Sequence, residues 1–182
     1  MDTDSRPAPA TTRRRQRGVT MVELMATTAI SAVILGAAAP SFVDSVRANR
    51  TRSTVQQLTG LLNDARSEAT KRNIPVLVCP SQNGTSCMSV WLAQAWRLRT
   101  IIVCYDADGN GACDSSTTDA PNPIRTRAPV DSTITVTGPL AAVRFNGMGA
   151  TASSVSFSVS TGDGSDQSSS ITVATTGAVR TY

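Results

Sequence analysis

The stretch RRRQRGVTMVELMATTAISAVILGAAAPSF, residues 13–42, places an acid, Glu23, inside an apolar run that stops at Pro40. Val19 to Ala39 is 21 residues, about 31 Å of helix at ~1.5 Å per residue, which just spans a bilayer. Residues 1–18 hold Arg6, Arg13, Arg14, Arg15 and Arg17 against Asp2 and Asp4, a charge of +3. The remainder has 12 basic and 11 acidic side chains, so most of the net +4 belongs to the leader and not to a basic face built for nucleic acid. Basic residues before an apolar run keep the N-terminus cytoplasmic. A cleavable signal peptide would use Ala37-x-Ala39, yet cleavage there sets Pro40 just past the scissile bond, where its ring and missing N–H hinder a protease. A plain anchor leaves Glu23 unexplained, because a carboxylate in a lone span costs about 2.5–3.5 kcal/mol at mid-bilayer and less near an interface. The acid makes sense only if a partner compensates it.

The segment RGVTMVELM, residues 17–25, resembles the class III leader junction of type IV pilins and type II secretion pseudopilins. That pattern has Gly before the cut, an apolar residue after it and Glu at the fifth mature position. The resemblance implies cleavage by prepilin peptidase between Gly18 and Val19, and N-methylation of Val19. It makes Glu23 the assembly residue that compensates the new α-amine of a neighbouring subunit. Val19 stands where the family commonly has Phe, and Pro40 falls where the family has a helix-kinking proline. Gly18, without a Cβ, lets a membrane protease approach closely.

Past Pro40 a helical pattern resumes. Val55, Leu58, Leu62, Ala65 and Ala69 step by 3, 4, 3 and 4, an amphipathic stripe that ends at Asn73 and Ile74-Pro75. Arg47, Arg50, Arg52, Arg66, Lys71 and Arg72 lie mostly off it. They read as a solvated face near anionic headgroups or neighbouring subunits, because Asp44, Asp64 and Glu68 interrupt any basic track for DNA.

From Pro75 onward the chain reads as strands: Val76–Cys79, Ser89–Ala93, Leu98–Tyr105, Ser132–Gly138, Ala142–Asn146, Ser154–Ser160 and Ser170–Thr176. Val155, Phe157 and Val159 share one face, with serines on the other. The linkers DGNG, DAPNP, NGMG and TGDGSDQSSS are turn-rich. The expected fold is α+β and pilin-like, with one long N-terminal helix packed on an antiparallel β-sheet head. Its parts are a leader over 1–18, a transmembrane helix over 19–41, an amphipathic helix over 42–74 and a periplasmic head over 75–182. The head resembles the FimT/GspH branch, which follows the helix with Cys-x-Ser, a Gly turn, a second Cys, a Trp-containing strand and an Asp-Gly-rich loop. Here these are VLVCPSQNGTSC, Trp91 and Trp96, and VCYDADGNGACD, followed by AVRFNGMG.

There is no histidine, so His-based nucleophile activation and His-containing zinc sites are excluded. No acid–base constellation stands out, and neither an enzyme nor a cofactor is expected. Cys79, Cys87, Cys104 and Cys113 lack the C-x-x-C pairs of a zinc ribbon, and beyond an export segment they read as disulfides. Of three connectivities, Cys79–Cys87 and Cys104–Cys113 are favoured because each closes a short loop between extended segments. Asp106, Asp108, Asn110 and Gly111 match positions 1, 3, 5 and 6 of a calcium loop, but Thr117 stands where the bidentate Glu belongs, and the alternative is a tight turn. FimT proteins of competent bacteria carry a C-terminal Gly-Arg-x-Arg that contacts DNA. Gly177 and Arg180 match it, Ala178 replaces the first arginine, and Arg144 is a further candidate contact.

The expected function is a minor pilin or GspH-like pseudopilin that assembles into, primes or caps a type IV pilus or type II secretion pseudopilus. The alternative is a minor pilin that binds DNA weakly during uptake. The expected partners are other pilins through the N-terminal helix, prepilin peptidase and the inner membrane, with the head in the periplasm.

Overall fold

A threonine opens the helix. Thr20 Oγ1 accepts the Glu23 backbone N–H at 3.2 Å, the N-cap half of a Thr-x-x-Glu capping box, and α1 runs Met21–Arg72. The computed structural model describes residues 18–88, 95–114, 122–130, 132–162 and 168–182, with the side chains of 38–41 excepted. The leader up to residue 17 and the strand expected over 89–93, with Trp91, lie outside these, and the bend expected at Pro40 falls on the excepted side chains. The chain divides into two units, Met1–Phe42 and Val43–Tyr182.

In the first unit, the described side chains of α1 are exposed, Val22, Leu24, Ile30, Val33 and Leu35 among them. This part of α1 is long and apolar enough to cross a membrane. Its hydroxyls bond back to their own helix: Thr27 Oγ1 to Leu24 O, Thr28 Oγ1 to Leu24 O, and Ser31 Oγ to Thr27 O at 2.7 Å.

In the second unit, the α1 stripe of Val55, Leu58, Leu62, Ala65 and Ala69 is buried, joined by Leu61, Thr51 and Thr54. The helix stops at Asn73, whose φ of 53° is the left-handed cap. Gly147 packs against that cap: a Cβ there would lie 2.3 Å from Asn73 Oδ1.

Among the described residues eight strands follow, in two antiparallel sheets, as the α+β expectation of a helix on an antiparallel head requires. The first has the order β3 (Arg125–Arg127), β2 (Thr100–Tyr105), β1 (Val76–Ser81), β5 (Val143–Phe145). The second has the order β4 (Ile134–Thr137), β6 (Val155–Thr161), β7 (Ser168–Val173), β8 (Val179–Thr181). Pairing lapses after Phe145 because the NGMG turn reverses the chain there. An isolated bridge from Phe145 to Thr151, and a bond from Thr151 N to Thr175 O, join the two sheets.

The central strands of the first sheet, β1 and β2, are buried on both faces. Val76, Val78, Ile101, Val103, Tyr105, Val143 and Phe145 join the α1 stripe in the main core, while Leu77, Cys79, Ile102 and Cys104 form a small second core behind. Burial on both sides is why β1 and β2 are continuous apolar runs and not alternating ones. The second sheet alternates: Ile134, Val136, Phe157, Val159, Ile171 and Val173 face the core, with Ser and Thr on the outer positions.

One expected boundary is corrected. Leu98 closes a short helix α2 (Ala95–Leu98), and the strand begins at Thr100. The helix buries Trp96, whose Nε1 donates to Pro139 O at 2.8 Å and whose ring meets Phe157 edge-on at 4.8 Å. Gly138 fits here because a Cβ would lie 2.6 Å from Trp96 Cδ1.

Candidate functional site

The leader junction is simple in form. Gly18 and Val19 are exposed and precede the capped first turn, and Glu23 sits in that turn. Among the described residues Glu23 has no ion-pair partner. The positive end of the helix dipole favours a carboxylate at this place, by about 0.3–1 kcal/mol where water screens it.

The outer face of the first sheet gathers most of the other residues singled out from the sequence. Disulfides join Cys79 to Cys87 and Cys104 to Cys113. They pin the loops after β1 and β2 over the small core, and the two bonds lie side by side, with Cys87 Sγ 3.5 Å from Cys113 Sγ. Arg144 shares this face, opposite Leu77 in the β1–β5 register. Its Nε meets Asp106 Oδ2 at 2.8 Å, and Asp106 is fully buried while Arg144 is half-exposed.

That ion pair bears on two sequence readings. Asp106 Oδ1 accepts the Gly111 N–H at 3.1 Å, while Oδ2 faces the Arg144 guanidinium as an ion pair and makes no hydrogen bond. Asp108 accepts from the backbone N–H and side-chain Nδ2 of Asn110 at 3.1 and 2.6 Å, and Ala107 N–H donates to Asp114 Oδ2. The loop is thus closed by its own turns, and a guanidinium stands where a calcium ion would need Asp106. Arg144 is committed to the same pair.

The C-terminal element has its own geometry. Gly177 is buried at φ 75°, and a Cβ would lie 1.7 Å from Gly149 O. Gly149, also at φ 75°, faces α1: a Cβ there would meet Thr70 Cγ2 at 2.8 Å. Arg66 of α1 ties both turns, Nε donating to Gly149 O at 3.2 Å and Nη2 to Thr176 O at 3.1 Å. Gly177 is therefore required by packing. Arg180 is exposed on β8, across from Thr172 and on the other sheet from Arg144. Of the other basic residues, Arg125 pairs with Asp64 at 3.7 Å and Arg127 Nε donates to Gln57 Oε1 at 3.2 Å.

In the sequence Arg66 is one more arginine off the apolar stripe. The NGMG motif signals that a turn comes close to something, without saying to what. Glu68 sits three and four residues before Lys71 and Arg72, a spacing the sequence shows, and takes them at 3.3 and 3.5 Å; the Tyr105 hydroxyl at 3.4 Å is the contact the sequence does not show. Burial pushes the Glu68 carboxyl up, but Lys71 and Arg72 together outweigh it and hold the group below its ordinary value. Burial pushes the Tyr105 phenol up, although the Arg72 guanidinium, 5.7 Å from its ring centroid, works the other way.

Comparison with known proteins gives this arrangement a family. Residues 54–177 match the family model described as type II transport protein GspH, and residues 13–39 match the prokaryotic N-terminal methylation motif. No curated protein sequence matches the chain. Among solved structures, the type IV minor pilin FimU of Pseudomonas aeruginosa aligns with a TM-score of 0.54 at 14% identity, over 74% of this chain and 89% of its own. The minor pseudopilin EpsH of the Vibrio cholerae type II secretion system aligns with a TM-score of 0.51 at 10% identity, over 75% and 97%. At such identities the likeness is one of fold: a long N-terminal helix with antiparallel sheets. By the match over 54–177 and the methylation motif that precedes it, the chain belongs to the GspH family of pilin-like proteins.

Proposed function

We propose that this chain is a minor subunit of a pilin-like filament, a type IV pilus or a type II secretion pseudopilus, that enters the assembly through its N-terminal helix. Prepilin peptidase cuts between Gly18 and Val19, and the new amine of Val19 is methylated. Residues 19–41 hold the subunit in the inner membrane, and the head lies in the periplasm. Glu23 then compensates the α-amine of a neighbour, so that a charge expensive in an isolated span becomes a reason to assemble. The observation that carries this reading is the capped first turn: Thr20 starts α1 two residues after the junction and sets Glu23 in that turn with no ion-pair partner among the described residues. FimU and EpsH, whose folds the chain shares, are themselves a minor pilin and a minor pseudopilin.

Mass spectrometry of the membrane-extracted protein tests the processing step. The expected product lacks residues 1–18 and carries a methyl group on Val19. An intact N-terminus, or one beginning at Pro40, refutes the reading. Cross-linking to co-expressed pilins tests the assembly step: Glu23→Gln should be processed normally yet enter filaments at least about tenfold less often, and equal entry refutes the role of the acid.

A further inference from the structure

Arg127 is a cation that the head does not neutralise. It is half-buried at the end of β3, where its Nε donates to Gln57 Oε1 at 3.2 Å while Nη1 is buried with no hydrogen-bond partner. No ion pair reaches it among the described residues, although Arg125 on the same strand takes Asp64. Burial pushes the Arg127 guanidinium down from its ordinary value, and no neighbouring anion acts against that. A desolvated charge without a counter-charge is costly, so an anion supplied from outside the isolated chain is favoured here.

The guanidinium lines a groove of about 260 Å³ between α1 and the segment that follows β3. One wall is polar. Arg50, Ser53 and Gln57 stand on one face of α1, and Gln57 Nε2 donates to Ser53 Oγ at 3.1 Å, which leaves its Oε1 for Arg127. Arg50 is engaged elsewhere, Nη1 donating to Thr133 Oγ1 at 3.4 Å. The other wall is apolar, made of Ala128, Pro129, Val130 and Ile134. It is held in place: Val130 N–H donates to Arg97 O and Arg97 Nη2 to Ser132 O, both at 3.1 Å, so the segment is tied to α2.

The groove thus sets one unmatched positive charge beside an apolar wall. A phosphate monoester carries nearly two charges and would need a second uncommitted cation. A carboxylate on a protein side chain matches the single charge, pairs in the plane of the guanidinium and brings methylenes for the apolar wall. We propose that Arg127 receives an aspartate or glutamate side chain of a neighbouring filament subunit, laid in the groove between α1 and residues 128–130. The inference rests on the reading of this chain as a filament subunit, and the polar wall belongs to α1, the helix through which that reading brings the chain into the assembly. It is the converse of Glu23: there an acid awaits a cation, here a cation awaits an acid.

Arg127→Lys gives the site a reactive amine. Filaments assembled with co-expressed pilins are treated with a water-soluble carbodiimide, which joins an amine to a carboxylate in direct contact. The expected product is an amide from the substituted position to an Asp or Glu of another subunit, identified by mass spectrometry, and absent when the variant is dispersed in detergent. Arg127→Met removes the charge and keeps most of the packing. Its urea midpoint in detergent should equal or exceed that of the wild type, because no ion pair is lost, while its entry into filaments should fall by about fivefold or more. A lower midpoint with unchanged entry would make Arg127 a structural residue and overturn the proposal. Coupling only to an acid of its own chain, such as Asp64 or Asp131, would overturn it too, as would no coupling within filaments. Where midpoint and entry both fall, the coupled product decides. A wild-type chain that enters filaments no better than Arg127→Met refutes this inference alone; a wild-type chain that never enters them removes the filament reading with it.

Discussion

Replacing Gly177 by alanine sets the packing account of the C-terminal element against its DNA-binding account. The left-handed backbone at φ 75° costs an alanine about 1–2 kcal/mol. The new Cβ would also fall 1.7 Å from Gly149 O and 2.9 Å from its carbon, both backbone atoms that no side-chain rotation can move. The two turns must draw apart, and Arg66 holds one carbonyl of each, at 3.2 and 3.1 Å. Loosening those charge-assisted bonds, partly open to water, forfeits about 1 kcal/mol more. The sum is about 2–3 kcal/mol, or a fall of about 1–1.5 M in the urea midpoint at a slope of ~2 kcal/mol/M. Tryptophan fluorescence of the full chain in detergent reads it, since Trp96 is fully buried. Arg180→Ala is the control: an exposed strand position, it should move the midpoint by less than about 0.3 M. If Gly177→Ala unfolds together with that control, the close approach of the two turns is wrong.

Arg144→Ala leaves the buried Asp106 carboxylate without its cation and should cost about 2–3 kcal/mol, measured in the same denaturation assay. Adding Asp106→Asn removes the stranded charge and should recover part of that loss, whereas a further fall in stability would contradict the pairing. Because Glu68 sits below its ordinary 4.5 in the folded chain, its contribution is present above that value and is lost as pH falls through the folded one. Glu68→Gln should therefore flatten the decline in stability below about pH 5 by a few tenths of a kcal/mol, as for other partly exposed helical pairs. An acid limb as steep as the wild type's would contradict this.

What is legible in the sequence is what repeats locally. Val55, Leu58, Leu62, Ala65 and Ala69 carry a helical period, and all are buried. Phe157 and Val159 alternate with serines and take the core side of β6. The edge strands β3 and β8 escape such a reading, because three residues rich in Arg and Thr show no period and an edge tolerates charge. The two-sheet arrangement is likewise hidden, since NGMG signals a turn but not where its ends pair. Contacts made at long range leave no local trace: Arg66 meets carbonyls 83 and 110 residues away. The calcium reading shows the same limit from the other side. Asp106, Asp108 and Asn110 have the spacing of a ligand loop, and only the fold reveals that a distant arginine holds the first of them.

The back-bonded hydroxyls of Thr27, Thr28 and Ser31 have a consequence for specificity in lipid. Three hydroxyls bring polar atoms into an apolar stretch, yet each proton is already given to its own backbone. A helix laid against this stretch would find no spare donor among these three, so contact there would rest on shape and not on hydroxyl bonding.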